Sequence, residues 1–379
     1  MHRIKIILGA IFLIFSSCID PFYPNLGNHT TAKYVVYGQL TDQEGYKTVS
    51  VSMSSTINDP NYNPLPNCKV KIIDNLGKVF DLAETEKGNY QVWMKKEDLT
   101  PGHSYQVDVV TESGDEIVSD FDQMPVCPEI DSIYYDRKDI ATTDLDNPLQ
   151  GIQFYIDLDG KNTNSYYYKW ELTETWEHHA AYPIVWLWNK RTIIHISPPD
   201  SSLFFCWTTK NIQTIYTLST KDLVQNKYNK YQLHFVDNQT QRLLYCYSLL
   251  VNQYAISEPA FKYWDKLRIN SNEQGGLYET QPLRIEGNLK CITNPALEVL
   301  GFFSATAMRT KRIFVRNVEN IELQYPQCEP HEIVLGDLTK EEDEYLTYIE
   351  GQGLLLLEHP CVECNFAGGV TVKPDYWPY

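Results

Sequence analysis

No stretch of this chain is apolar for long enough to cross a bilayer as a permanent helix. Its clearest apolar run, residues 6–15 (IILGAIFLIF), falls well short of the roughly 20 residues that about 30 Å of hydrocarbon demands. Basic charge is scarce as well: 32 Lys and Arg stand against 49 Asp and Glu. Such a chain repels nucleic acid and anionic lipid head groups, which argues against a polyanion ligand. GxSxG, HExxH, P-loop and dinucleotide-binding fingerprints are all missing from the sequence, which leaves no motif for a hydrolase, a zinc protease or a nucleotide enzyme. The expectation is a non-enzymatic protein without a cofactor.

What is present begins at the N-terminus. His2, Arg3 and Lys5 precede the apolar run, and Ser16-Ser17-Cys18 follows it, the arrangement of a signal peptide whose cleavage leaves an acylated cysteine. Phe15 stands where the usual lipoprotein motif prefers Leu. The sequence therefore predicts a signal peptide over residues 1–17, lipidation at Cys18, and a tether over 18–32 (CIDPFYPNLGNHTTA). Acyl chains add about 0.8 kcal/mol of membrane affinity per buried methylene. Removing residues 1–17 lowers Lys and Arg from 32 to 30 against 49 acidic residues, a mature net charge of about −19.

The aromatic content, 27 Tyr with 8 Trp and 14 Phe, together with period-two segments between Gly- and Pro-rich turns, points to β-structure. Between residues 33 and 124, segments such as YVVYGQL, KTVSVSMS, CKVKIID, KVFDLAE, YQVWM and HSYQVDVVT recur every eight to twelve residues. They predict an immunoglobulin-like β-sandwich of the transthyretin or carboxypeptidase-regulatory kind. MPVCPE at residues 124–129 is a proline-bracketed linker. Residues 130–379 then predict a larger β-rich domain with helical insertions. One helix is expected after a Ser257 cap, with Phe261, Trp264 and Leu267 on one face, and a second over residues 340–351 behind a Thr339 and Glu342 capping box.

With Cys18 lipidated, Cys68, Cys127, Cys206, Cys246, Cys291, Cys328, Cys361 and Cys364 remain, an even number that permits disulfides in an oxidising compartment. Cys361-Val362-Glu363-Cys364 lacks the second CxxC of a zinc ribbon and the strand-to-helix setting of a redox centre. Its cysteines read as structural disulfides, with Cys328 or Cys206 among the partners. His178-His179 and His195 lie in an aromatic stretch without a nucleophile motif. The aromatic cluster of residues 166–188 is the best binding candidate: Trp176, Tyr182, Trp186 and Trp188 are its ligand- or partner-binding residues, with Trp176, Tyr182 and Trp188 as the exposed set.

Several segments occur together in a recognisable order: the lipoprotein motif, GQLTD, IDSIYY from Ile130, EQGGLY from Glu273, PLRIEGN from Pro282, VLGFFSA from Val299, and CVEC followed by Gly368-Gly369 and Pro374-Asp375-Tyr376-Trp377. In this the mature chain, from Tyr34 to Trp377, resembles the Bacteroidota lipoproteins grouped as domain of unknown function 4249. The resemblance implies an outer-membrane lipid anchor, on the cell surface or the periplasmic face, and a gene neighbourhood with a TonB-dependent receptor. It implies no catalytic residue. The reading is an anchored binding or accessory subunit of such a transporter. An envelope hydrolase on glycans or peptides, or a structural or adhesion protein, are the alternatives from other classes.

Overall fold

The computed structural model describes residues 32–55, 61–143, 148–272, 284–325, 327–334, 336–338 and 341–378. The signal peptide, Cys18, the tether up to residue 31, and the EQGGLY segment lie outside the described residues.

The protein is mainly β. Its first nine strands are β1 (Tyr34–Thr41), β2 (Gly45–Met53), β3 (Asn63–Pro64), β4 (Lys69–Asp74), β5 (Val79–Glu86), β6 (Asn89–Met94), β7 (Ser104–Val110), β8 (Glu116–Ser119) and β9 (Asp122–Gln123). Then come β10 (Ser132–Ile140), β11 (Leu149–Asp159), β12 (Tyr167–His179), β13 (Ile184–Trp188), β14 (Ile193–Asp200), β15 (Phe205–Ser219), β16 (Lys227–Asp237) and β17 (Cys246–Ala255). Helix α1 (Glu258–Asn272) is followed by β18 (Leu289–Cys291), β19 (Val299–Arg316), β20 (Glu344–Ile349), β21 (Gly353–Leu357) and the short helix α2 (His359–Val362).

The period-two patterns form strands because alternate side chains can be buried on one face. In β1 and β2 these are Val36, Leu40, Val49 and Val51, all at most 1% exposed. Among the described residues the largest sheet holds 14 strands, in the order β15-β12-β17-β19-β1-β2-β6-β5-β4-β7-β8-β18, with β3 on β2 and β9 on β7. Two smaller sheets are β10-β11-β16 and β14-β13-β20-β21.

The long ladder runs through both halves of the sequence at β1 and β19, which pair in parallel from Tyr34 opposite Val299 to Thr41 opposite Thr306. Glycine makes the close approach there possible. A Cβ on Gly301 (φ +99°) would collide with the Val36 carbonyl oxygen, and one on Gly287 with the Gly301 carbonyl oxygen. These are the glycines of VLGFFSA and PLRIEGN, so both segments mark a backbone junction. One core cluster extends from Val36 in β1 to Val315 in β19 and takes in Tyr90, Tyr105, Tyr168, Trp170 and Tyr247.

The expected helix over residues 340–351 is instead strand β20 and the turn after it; Thr339 and Lys340 lie outside the described residues. Tyr345 and Ile349 fit a helical spacing, but β21 offers them a partner strand, with Tyr345 opposite Leu357 and Ile349 opposite Gly353. Gly351, at φ +85°, belongs to the hairpin turn. Of the eight cysteines, Cys206 is bonded to Cys364 and Cys328 to Cys361, so CVEC contributes one cysteine to each of two bridges. Cys68, Cys127, Cys246 and Cys291 are free and buried, so four of the eight candidate cysteines pair.

A candidate ligand groove on the outer face of the main sheet

β12 alternates strictly at its centre. Tyr168, Trp170 and Leu172 enter the main core, at 0, 1 and 2% exposure, which turns Lys169, Glu171 and Thr173 to the opposite, outer face. Helix α1 packs on that face. It starts where the Ser257 hydroxyl oxygen accepts the Ala260 N–H at 3.2 Å, a cap worth about 1 kcal/mol. Phe261, Tyr263 and Trp264 then pack against Tyr254, Ile256, Ala260 and Phe302.

Trp264 covers a buried lysine. Lys169 is 2% exposed, and its Nζ lies 3.8 Å from the centre of the Trp264 ring and 5.3 Å from that of Tyr254. The ammonium donates to Glu171 Oε1 at 2.7 Å and to Gln39 Oε1 at 3.2 Å. Tyr254 donates its hydroxyl to Glu171 Oε2 at 2.9 Å, and Tyr37 donates to Gln39 at 3.4 Å. Burial pushes the Lys169 amine below its ordinary range, against the opposing pull of Glu171. Burial, then the Glu171 charge, pushes the Tyr254 phenol up. Tyr37 and Gln39 come from β1, so the cluster joins side chains more than a hundred residues apart in the chain.

Beside this cluster the β12–β15 ladder breaks. Trp170 pairs with Tyr216 but Leu172 pairs with Ile212, so β15 spends two residues more than β12 between the same two rungs. Such a bulge bends its strand and re-aims side chains. Gln213 and Thr214, both exposed, lie in it. Between the bulge and Trp264 lies a groove of about 370 Å³ whose lining includes Glu171, Thr173, Asn211 and Asn252. Thr173 donates to Asn211 Oδ1 and Thr310 to Asn252 Oδ1, each at 2.9 Å. Each bond occupies the amide oxygen, and among the described residues neither amide NH₂ donates a hydrogen bond. The groove therefore offers donors from Asn211 and Asn252, acceptors from Glu171 and Gln213, and an indole wall. Among the described residues of its lining the one cation, Lys169, is already matched by Glu171.

The residues singled out by sequence occupy other places. Trp176 is half-buried against the main core, with Lys210 Nζ 5.5 Å from its ring centre. With His178, His179 and both disulfides it lines a cleft of about 350 Å³. Tyr182 packs with Ile184, Tyr345, Leu357 and Val362 in a small separate core. Trp186 lies against His195, ring centres 4.3 Å apart, and Trp188 ends β13 half-buried. The expected exposed set, Trp176, Tyr182 and Trp188, is thus half-buried, because β12 and β13 each face a packed layer. His178 is buried, bonds Thr208 Oγ1 at 2.9 Å, and burial keeps its ring neutral to lower pH than usual. His179 bonds Glu177 at 2.8 Å and stacks on Tyr245. Among the described residues there is no group of three or more His, Cys, Asp or Glu side chains arranged to hold a metal.

Sequence reasoning missed Lys169, Glu171 and Tyr254, and placed Trp264 only as a helix face. The available signal was a lysine inside the otherwise aromatic run SYYYKW, where alternation puts Lys169 opposite to the core. Residues 19–312 match the sequence model of the family described as Domain of unknown function (DUF4249). The CVEC segment and the C-terminal aromatic tail lie beyond that match. No curated protein matches the chain.

Proposed function

The chain belongs to the family described as domain of unknown function DUF4249, and from that premise we propose that it is a lipid-anchored, non-enzymatic binding or accessory subunit of a TonB-dependent outer-membrane transporter. Cys18 is its lipidation site, strands β1 to β9 form its immunoglobulin-like sandwich, and the groove beside Trp264 holds the ligand. The observation that carries the binding role is the bulge in β15. The two extra residues of β15 border the groove, next to the buried Lys169 that the half-exposed Glu171 neutralises. Support for the anchor comes from the basic start, the short apolar run and Ser16-Ser17-Cys18. Support for the transporter comes from the family resemblance.

The test is a mild-detergent pull-down from native membranes of the protein tagged after Tyr379, followed by mass spectrometry, in parallel with Cys18→Ser. Recovery of a TonB-dependent transporter in near-equal amount, lost from the membrane fraction with Cys18→Ser, is the expected result. Recovery of the protein alone sinks the accessory role.

A further inference from the structure

We propose that the groove between the β15 bulge and Trp264 takes a neutral oligosaccharide; this rests on the binding reading above and names its ligand class. A pyranose ring presents hydroxyls that both donate and accept, around an apolar C–H face. The groove repeats that combination. Thr173 and Thr310 occupy the amide oxygens of Asn211 and Asn252, and among the described residues their NH₂ groups donate to no protein acceptor. Gln213 donates its amide nitrogen to the Asn211 backbone carbonyl at 3.4 Å, which leaves its own side-chain carbonyl as an acceptor. The Trp264 indole supplies the apolar wall on which a C–H face packs.

Charge selects against ionic ligands. Lys169 is 3% exposed through its side chain and is ion-paired with Glu171 at 2.7 Å, while the Glu171 side chain is 47% exposed. An anionic sugar would meet that carboxylate with no free cation among the described residues of the lining to offset it. A cationic ligand would have to compete with the buried Lys169 for the same carboxylate, and removing that partner strands a buried charge. Bonds between fixed amides and hydroxyl groups have neither cost.

The full-length lipidated protein, held in lauryldimethylamine oxide so that no sugar detergent competes, is titrated calorimetrically with cellohexaose, xylohexaose, mannohexaose and maltohexaose. Hexagalacturonate and a neutral Ser-Gly decapeptide are the comparison probes. The expected result is binding of at least one neutral hexasaccharide with a Kd of about 1 mM or tighter and none of either comparison probe. Asn211→Ala with Asn252→Ala weakens it about tenfold or more, at the level of one to two lost hydrogen bonds. Gln213→Ala, at an exposed bulge position, weakens it about threefold with an unchanged circular dichroism spectrum. No binding of the four neutral probes, binding of the galacturonate or the peptide instead, or unchanged affinity in the variants overturns the proposal. Transporter recovery without sugar binding overturns the ligand class alone, and sugar binding without transporter recovery overturns the accessory role alone.

Discussion

Asp122 sits against the edge of β19, 3% exposed, where its Oδ2 accepts the Ala305 N–H at 2.8 Å. Enclosure disfavours the carboxylate, and despite the bonds from Ser257 and Ala305 its pKa is raised from 3.8 to about 6. The folded state therefore holds this proton more tightly than the unfolded chain does. Its contribution to stability is complete below about pH 4 and is lost as pH rises through about 6, where the unfolded carboxyl has already ionised. The size is up to about 3 kcal/mol, at 1.36 kcal/mol for each pKa unit. Asp122→Asn keeps an acceptor for Ala305 and removes the charge. Urea unfolding should show the variant more stable than wild type at pH 7.5 by about 1–3 kcal/mol, with the gap closing by pH 4. A gap that does not change with pH would mean that Asp122 ionises normally in the fold. The same enclosure, acting on an amine, lowers the Lys169 pKa, and there Glu171 supplies the compensation that Asp122 lacks.

At the scale of elements, β15 is the strand whose irregularity has a function to explain. Deleting Thr214 and Ile215 leaves Gln213 as the single residue between Ile212 and Tyr216, which restores the match to Trp170 and Leu172 and keeps both inward side chains in place. The deletion should leave stability within about 1–2 kcal/mol, since bulge residues make no ladder pair. It should lower hexasaccharide affinity about tenfold or more, measured by the same calorimetry. A shortened protein that binds normally would show that the bulge does not shape the site. The strands themselves were readable from alternation and turns, as in KTVSVSMS, where Val49 and Val51 are fully buried. The Ser257-capped helix was readable for the same local reasons. Residues 340–351 were not, because Tyr345 and Ile349, four apart, satisfy both periods and β21 decides between them. The groove was not readable either. Its walls depend on a ladder register, and no window of sequence records that β15 needs two more residues than β12.

On the scale of the whole molecule, the proline-bracketed segment at residues 124–129 reads as a boundary in sequence, yet the hydrophobic interior passes it without interruption. Val36, Leu40 and Val49 from the first region share a core with Phe303, Ala305 and Ala307 from β19, and β1 lies between β2 and β19 in one sheet. A parallel pair formed by segments some 265 residues apart leaves no local pattern, whereas Gly287 and Gly301 show its footprint once their neighbours are known. Elements that bury the same apolar surface lose it together, since exposing either side costs about 25 cal/mol for every Å² uncovered. The full chain with its disulfides intact should therefore unfold in guanidinium through one transition for this sheet, followed coincidently by tryptophan fluorescence and by the far-ultraviolet strand signal. A fragment of residues 32–126 should be less stable and prone to self-association, because removing β19 leaves β1 as an open edge of eight residues above an uncovered core. Mixing it with the complementary fragment of residues 127–379 should restore the lost stability. Two separated transitions in the full chain, or a fragment as stable as the whole, would mean that the β1–β19 seam joins two independent folding units.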